Sequence, residues 1–368
     1  MEAKSRNETT NPLRCIGGCI CTSFQGFQTQ TTFDVGSLPD GVAVGDFNGD
    51  GYLDIVATNL GDNSVSVLLG TGSGSFQTQT TFPVGSFPQG VAVGDFNGDG
   101  YLDIVATNTN GNTVSVLLGT GSGSFQPSTS FPTGSGPSDV AVGDFNGDGH
   151  LDIVATNPGI NAVSVLLGTG SGSFQASATL PVGSGLTSVA VGDFNGDGYL
   201  DIVATNGIAN AVSVLLGTGS GTFQAPATFP VGSNPQGVAV GDFNGDGYLD
   251  IVATNNAGNT VSVLLGDGLG GFQPQATFVV GSGPIAVAVG DFNGDGHLDI
   301  VATNGDSSVS VLLGTGSGSF QAQTAFPVGS GPAGVAVGDF NGDGHLDIVA
   351  TNEGENTMSV LLGKPCDA

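Results

Sequence analysis

Between Cys15 and Gly363 the chain has no lysine and no arginine; its four basic residues, Lys4, Arg6, Arg14 and Lys364, all sit near the ends. Nothing inside that span could neutralise phosphate groups, which excludes a nucleic-acid surface and an anionic-membrane surface. Long apolar runs are missing as well: no stretch approaches the roughly 18 residues of a spanning helix, so no membrane insertion is expected. The opening Met1–Thr9 lacks the apolar core of a secretory signal. Ile16-Gly17-Gly18-Cys19 loosely echoes a lipoprotein cleavage site without the apolar segment that should precede it. The expectation is therefore that export uses a removed or replaced signal, or another route.

Acidic charge is abundant and localised. Of 32 acidic residues in 368, 21 belong to one short motif, leaving 11 elsewhere, and the formal charge is -28. Ions from solution must balance it. With 66 glycines the chain could be suspected of disorder, but 38% apolar residues in regular short runs argue for packed β structure.

The motif is Gly45-Asp46-Phe47-Asn48-Gly49-Asp50-Gly51-Tyr52-Leu53-Asp54-Ile55-Val56-Ala57-Thr58-Asn59, repeated almost unchanged seven times with a period of 49 residues, once 48. Self-similarity at that period signals a propeller or a solenoid, in which each unit stacks only on its neighbours, so length does not imply two domains. Each period reads as four short strands. In the first copy, A is Gly41–Gly45, B is Leu53–Thr58, C is Val65–Leu69 and D is Phe76–Val84. B and C are apolar on both faces, as in a sheet covered on both sides. A is small and suits a crowded centre. D alternates Phe and Thr with Gln, and Pro83 follows Phe82 near its end, as expected of an outer edge.

The strand count tests closure. After the seventh motif come strands B and C, and then no D; an orphan D stands instead before the first motif, at Phe27–Val35. An open solenoid has no use for that offset, whereas a seven-bladed β-propeller of four-stranded antiparallel blades closes its ring that way. The organisation expected is a leader over 1–22, the propeller over 23–363 and a tail over 364–368.

Within each motif, oxygen-bearing side chains recur at positions 1, 3, 5 and 9, and position 7 can offer its backbone carbonyl. Position 1 is Asp46, Asp95, Asp144, Asp193, Asp242, Asp291 and Asp339. Position 3 is Asn48, Asn97, Asn146, Asn195, Asn244, Asn293 and Asn341. Position 5 is Asp50, Asp99, Asp148, Asp197, Asp246, Asp295 and Asp343. Position 7 is Tyr52, Tyr101, His150, Tyr199, Tyr248, His297 and His345, and position 9 is Asp54, Asp103, Asp152, Asp201, Asp250, Asp299 and Asp347. Hard oxygen donors so spaced, with Gly51 at the sharp turn, curl around a cation, and Ca²⁺ tolerates the irregular geometry better than Mg²⁺. About seven Ca²⁺ ions, one per blade, would halve the formal charge. An EF-hand is excluded because Ala57 stands where its bidentate Glu is needed, and a nonapeptide roll because the nine-residue period is absent.

This motif resembles the FG-GAP or VCBS repeat of integrin α-subunit propellers and of bacterial and fungal propeller lectins, over about residues 24 to 363. The resemblance implies Ca²⁺ held in the A–B hairpin loop, and each ligand position has a match in every copy. Two departures stand out: the copies are unusually alike, and all seven blades carry the full motif where integrin propellers use only some.

The simplest role of such a cation is to pin its hairpin, so that metal binding is folding free energy rather than catalysis. All Tyr and all His occupy position 7, where they contribute backbone, which argues against a catalytic histidine. No catalytic residue is expected, and Phe47 and its equivalents should plug the core. The A–B and C–D turns share one face, nearly constant from blade to blade, as in Gly70-Thr71-Gly72-Ser73-Gly74-Ser75. The B–C and D–A turns share the other, where Leu60-Gly61-Asp62-Asn63 becomes Thr109-Asn110-Gly111-Asn112, and Leu38-Pro39-Asp40 becomes Phe87-Pro88-Gln89 and then Pro137-Ser138-Asp139. Loops on a rigid scaffold are the usual place for recognition.

Four cysteines are present. Cys366 follows the last strand C and Cys21 precedes the orphan strand D, so the topology places them side by side, where a disulfide would lock the ring. Cys21–Cys366 with Cys15–Cys19 is the favoured pairing among the three that four cysteines allow; an all-cysteine zinc site is the alternative, against an unusual spacing. The expectation is a non-enzymatic, Ca²⁺-stabilised, extracellular recognition module, lectin-like or adhesive, for a glycan or protein ligand on the variable face or between blades. The alternative is self-assembly as a subunit of a surface layer or filament.

Overall fold

A computed structural model describes residues 24–176 and 178–364. Alternating turns and short apolar strands produce seven four-stranded antiparallel sheets, each paired in the order A-B-C-D. In the first blade A is Pro39–Gly45, B is Asp54–Asn59, C is Ser64–Leu68 and D is Thr80–Pro83. Besides strands, the described residues hold a single 3-10 turn, Pro158–Ile160.

Closure follows the expected offset. The seventh sheet takes A from Pro332–Gly338, B from Asp347–Asn352 and C from Thr357–Leu361, and its outer strand is Thr31–Asp34 from the other end of the chain. Thr31 pairs with Val360 and Asp34 with Thr357. Phe27 bridges Gly363, and the Lys364 amide donates to the Gly26 carbonyl at 3.0 Å. The proposed cysteine pairings fall on residues outside those described.

Why B and C are apolar on both faces is now clear: all six residues of each strand B are buried, because the neighbouring sheets cover both sides. The core is a set of interblade clusters. Phe47, Val56, Val65 and Val67 of the first blade, for example, pack on Ile104, Ala106, Leu117 and Phe125 of the second. Phe47 is the plug its position in the motif suggested, 2% exposed, its ring edge-on to Phe125 at 5.6 Å. Each buried phenylalanine of this size removes some 150–250 Å² from water, so the seven plugs are major contributors to the interblade core.

Strand limits differ from those read in the sequence: B and C shift by one residue at each end, and D and A change further. Strand D is shorter than Phe76–Val84, because Phe76 makes only an isolated bridge to Gly70 before the chain joins the edge at Thr80. Pro83 is the last residue of the strand, opposite Ser64, which an edge tolerates because no strand lies beyond it to need its missing N–H. Strand A begins two residues early, at Pro39, through a register shift between Pro39 and Val42; in the second and third blades it begins at Val91 and Val140.

Candidate functional site

The A–B turn is shaped around Asp46. Its Oδ1 accepts the N–H groups of Gly49 at 2.7 Å and Asp50 at 3.2 Å, and its Oδ2 accepts that of Gly51 at 2.9 Å. Gly51 takes φ +88, which a side chain would strain. Asn48 accepts from the Asp50 amide at 2.9 Å and donates its own amide to Asp50 Oδ2 at 2.9 Å, and Asp50 Oδ1 accepts the Tyr52 N–H. The same bonds recur in every blade, for example around Asp193 and Asp339.

Position 9 is different in kind. Asp54 is fully buried, its Oδ2 accepting the Phe47 amide at 2.8 Å and its Oδ1 the Gly70 amide at 2.7 Å. It thus ties the A–B turn to the C–D turn of the same blade. Burial pushes its carboxyl up to about 6, against the two N–H donors that pull it down, with the Asp50 and Asp46 charges adding to the rise. Five equivalents behave alike, and Asp299 rises to about 7.

These residues fit a hard divalent cation in chemistry: each loop offers carboxylate and amide oxygens, and its buried Asp has no cationic side chain to offset it. Among the described residues no three His, Cys, Asp or Glu side chains stand gathered as a metal cluster, because the loop carboxylates are turned onto the loop's own N–H groups. A carboxylate oxygen has lone pairs for a metal as well as for an N–H. A bound divalent ion would supply positive charge to each hairpin. Asp46, Asn48, Asp50, Asp54 and the Tyr52 carbonyl are the groups that would hold it in the first blade.

The position-7 rings are half exposed, Tyr52 at 46%. They lie over the C–D loop: a Cβ on Gly72, itself at φ +69, would come within 2.3 Å of the Tyr52 ring. That contact explains why the Gly-Thr-Gly-Ser-Gly loops hardly vary. Beside it, the Gly123 amide of the second blade donates to the Phe47 carbonyl at 3.0 Å, joining neighbouring blades on this face.

On the opposite face the B–C and D–A turns interlock. The Leu60 amide donates to the Leu38 carbonyl, and Asp62 Oδ2 accepts the Ser37 N–H at 2.6 Å. Not all of this face is variable. The last residue of the B–C turn adopts a left-handed conformation in every blade: Asn63, Asn112, Asn161, Asn210, Asn259, Ser307 and Asn356. In five blades its side chain also accepts an N–H from a D–A linker, as Asn63 does from Phe87 and Asn356 from Leu38. That position is scaffold, and asparagine is there because it tolerates positive φ.

What varies converges on the ring axis. The residue two before each conserved Val-Ala-Val is, from the first blade to the seventh, Asp40, Gln89, Ser138, Thr187, Gln236, Ile285 and Ala333. All seven line one open cavity of about 540 Å³ at this end of the axis. In the sequence these were single-letter differences inside linkers, and only their common position in the repeat could have singled them out. Asp40 is pushed up to about 6 by burial, partly offset by a 3.3 Å bond from the Gln89 amide. Asp139 is also raised by burial, and it accepts from Ser188 Oγ at 2.7 Å and from the Val189 amide at 3.0 Å.

Compared with known proteins, a profile described as the FG-GAP-like repeat matches residues 46–106, 95–155, 144–204, 197–253, 242–302 and 291–350. No curated protein sequence matches the chain. Solved structures do share the fold. A streptogramin B lyase superposes with a TM-score of 0.65 at 17% identity, covering 93% of this chain and 99% of that one. BBS1N, in its complex with ARL6DN, superposes with a TM-score of 0.65 at 10% identity, over 93% and 98%. The catalytically inactive virginiamycin B lyase from Staphylococcus aureus gives 0.63 at 17% identity, over 91% and 99%. At these identities the likeness is one of fold alone.

Proposed function

This chain belongs to the FG-GAP-like repeat family, and from that premise we propose that it is a non-enzymatic, calcium-loaded extracellular recognition module. Its ligand, a glycan or a protein, sits on the face built by the B–C and D–A turns. The observation that carries the reading is the seven-membered ring from Asp40 to Ala333, where almost identical blades place six different residue types at seven equivalent positions around one cavity. A ring needed only for stability would have no reason to break its symmetry at the axis.

The calcium part of the proposal rests on the buried carboxylates of the Asp54 class in a ring that contains no Lys or Arg. Extracellular loops of comparable donor sets bind calcium at roughly 0.1 to 1 mM, so resting cytosol would leave them largely unfilled. Among the described residues no helix is long and apolar enough to cross a membrane. Two of the solved structures with this fold are lyases, but between Cys15 and Gly363 this chain carries no Lys or Arg, and its raised carboxyls lie in the hairpin loops or at the axial mouth.

A glycan array in calcium buffer, followed by substitution of the exposed Ile208 and Phe87 on the same face, tests the reading. Binding that Ile208→Ala or Phe87→Ala weakens supports it. No binding to glycan or protein, together with concentration-dependent assembly on a sizing column, would replace it with a structural subunit.

A further inference from the structure

The axial cavity is chemically lopsided. Five consecutive blades contribute polar side chains to its ring, Asp40 to Gln236, while the sixth and seventh contribute Ile285 and Ala333. Leu186 and Ile208 extend the apolar wall. Its size falls within the range of small-ligand sites.

The hydrogen-bond inventory of that ring is lopsided in a second way. The hydroxyls are used: Ser138 Oγ lies 2.9 Å from Thr156 Oγ1, and Thr187 Oγ1 2.7 Å from Thr205 Oγ1. Gln89 gives its amide to Asp40 Oδ2 and takes the Thr109 hydroxyl on its oxygen. The Gln236 amide is bonded to Asn234 Oδ1 at 3.1 Å. Among the described residues, Asp40 Oδ1 and Gln236 Oε1 accept no hydrogen bond, each glutamine amide uses one of its two N–H groups, and the one formally charged member of the ring of seven is Asp40. Asp139 and Glu353 add negative charge close to Asp40, and the nearest basic side chain in the sequence lies outside the repeats. An anion would meet repulsion here, and a neutral polyol would leave the carboxylate charge without a counter-charge. What the lining lacks is a cation that brings N–H groups.

We propose that this cavity binds a small organic ammonium ion, its charged nitrogen on Asp40 and its apolar body against Ile285 and Ala333. The proposal rests on the recognition face argued above and narrows it to a ligand class. Burial strengthens such a pair, because a carboxylate held in a concave protein wall and short of donors gains more from an arriving ammonium than one in open water does.

The test is calorimetric titration of the full chain in millimolar Ca²⁺ and low salt with 2-phenylethylammonium, 2-phenylethanol and 3-phenylpropanoate. The ammonium should bind at least about tenfold more tightly than the alcohol, the scale of one charge-assisted hydrogen bond, and the carboxylate should not bind. Asp40→Asn should lose about tenfold or more in ammonium affinity. Asp267→Asn, which removes the same charge from a C–D loop on the far face, should change nothing. Equal affinity for ammonium and alcohol, binding of the carboxylate, or an unaltered Asp40→Asn would overturn the proposal. So would loss of one bound Ca²⁺ in Asp40→Asn, which would give these carboxylates to a metal. Should the ammonium fail while a glycan or protein still binds this face, the ligand class falls and the recognition reading stands.

Discussion

The Thr351 hydroxyl donates to the Asp40 carbonyl at 2.6 Å, across 311 positions of sequence and from the seventh blade to the first. The same clamp recurs inside the ring, where Thr58 reaches the Gln89 carbonyl at 2.6 Å and Thr254 the Ile285 carbonyl at 2.7 Å. The interface between the seventh and first blades is therefore built like the others near the axis, and the chain crosses it between Asp34 and Pro39 as it crosses the others; the two ends of the ring meet instead inside the seventh sheet, where Thr31–Asp34 pairs with Thr357–Leu361.

Two perturbations of the seventh blade should have unequal effects. Thr351→Val removes one hydrogen bond of about 1 kcal/mol and should lower the melting temperature by a few degrees. Deleting residues 24–35 removes the outer strand of the seventh blade and leaves Thr357–Leu361 as a bare apolar edge, which invites pairing between chains. Dimers or aggregates on a sizing column are the expected outcome; a stable monomer melting like the full chain would show that the strand is dispensable.

The interblade plugs should dominate stability. Phe47→Ala empties a site that is 2% exposed and should cost about 3–5 kcal/mol, the usual cost for a buried phenylalanine. Denaturant unfolding measures it, and a loss below about 1 kcal/mol would mean that the blades do not depend on this contact.

Calcium should stabilise by mass action. At a tenfold excess over its dissociation constant each filled loop adds about 1.4 kcal/mol, so chelation should lower the unfolding temperature steeply and titration should reveal about seven ions per chain. Asp50→Ala should remove one ion and part of the stability. A melting curve indifferent to chelator would end the calcium reading.

Asp40 should make stability depend on pH in a definite direction. Its carboxyl is raised from 3.8 to about 6 in the folded chain, chiefly by burial. The folded state therefore holds a proton that the unfolded state gives up, and this contribution is fully present below about pH 3.8 and lost as pH rises through about 6. Asp40→Asn should be more stable than the parent at pH 7.5, by about 1–2 kcal/mol, and the advantage should vanish near pH 4. Parallel pH–stability curves for the two chains would contradict this. The parent's own profile also contains the Asp54 class, so the difference between the chains is the quantity to read.

Much of this architecture was legible because the repeat made it redundant. The orphan segment ahead of the first motif predicted that Thr31–Asp34 would complete the seventh sheet, since strand counting needs only order and periodicity. The plug at Phe47 and the donor pattern from Asp46 to Asp54 could be read for the same reason. Other features were hidden. Strand D, read from Phe76, begins only at Thr80, because alternation along an edge does not say where the chain starts to pair continuously with its neighbour. Asn63 passed for part of a variable loop, although its left-handed φ fixes the residue type. The burial of Asp54 is set by the Gly70 amide, sixteen residues away, and no local pattern announces it.

Sequence alone determined the number of blades, their strand order, the oxygen-rich hairpins and the absence of basic charge, because each of these is a local property repeated seven times. Tertiary structure decided which single differences matter. Asp40 and Gln236 lie 196 positions apart yet line one cavity, because a closed ring turns equal positions in successive repeats into neighbours around an axis.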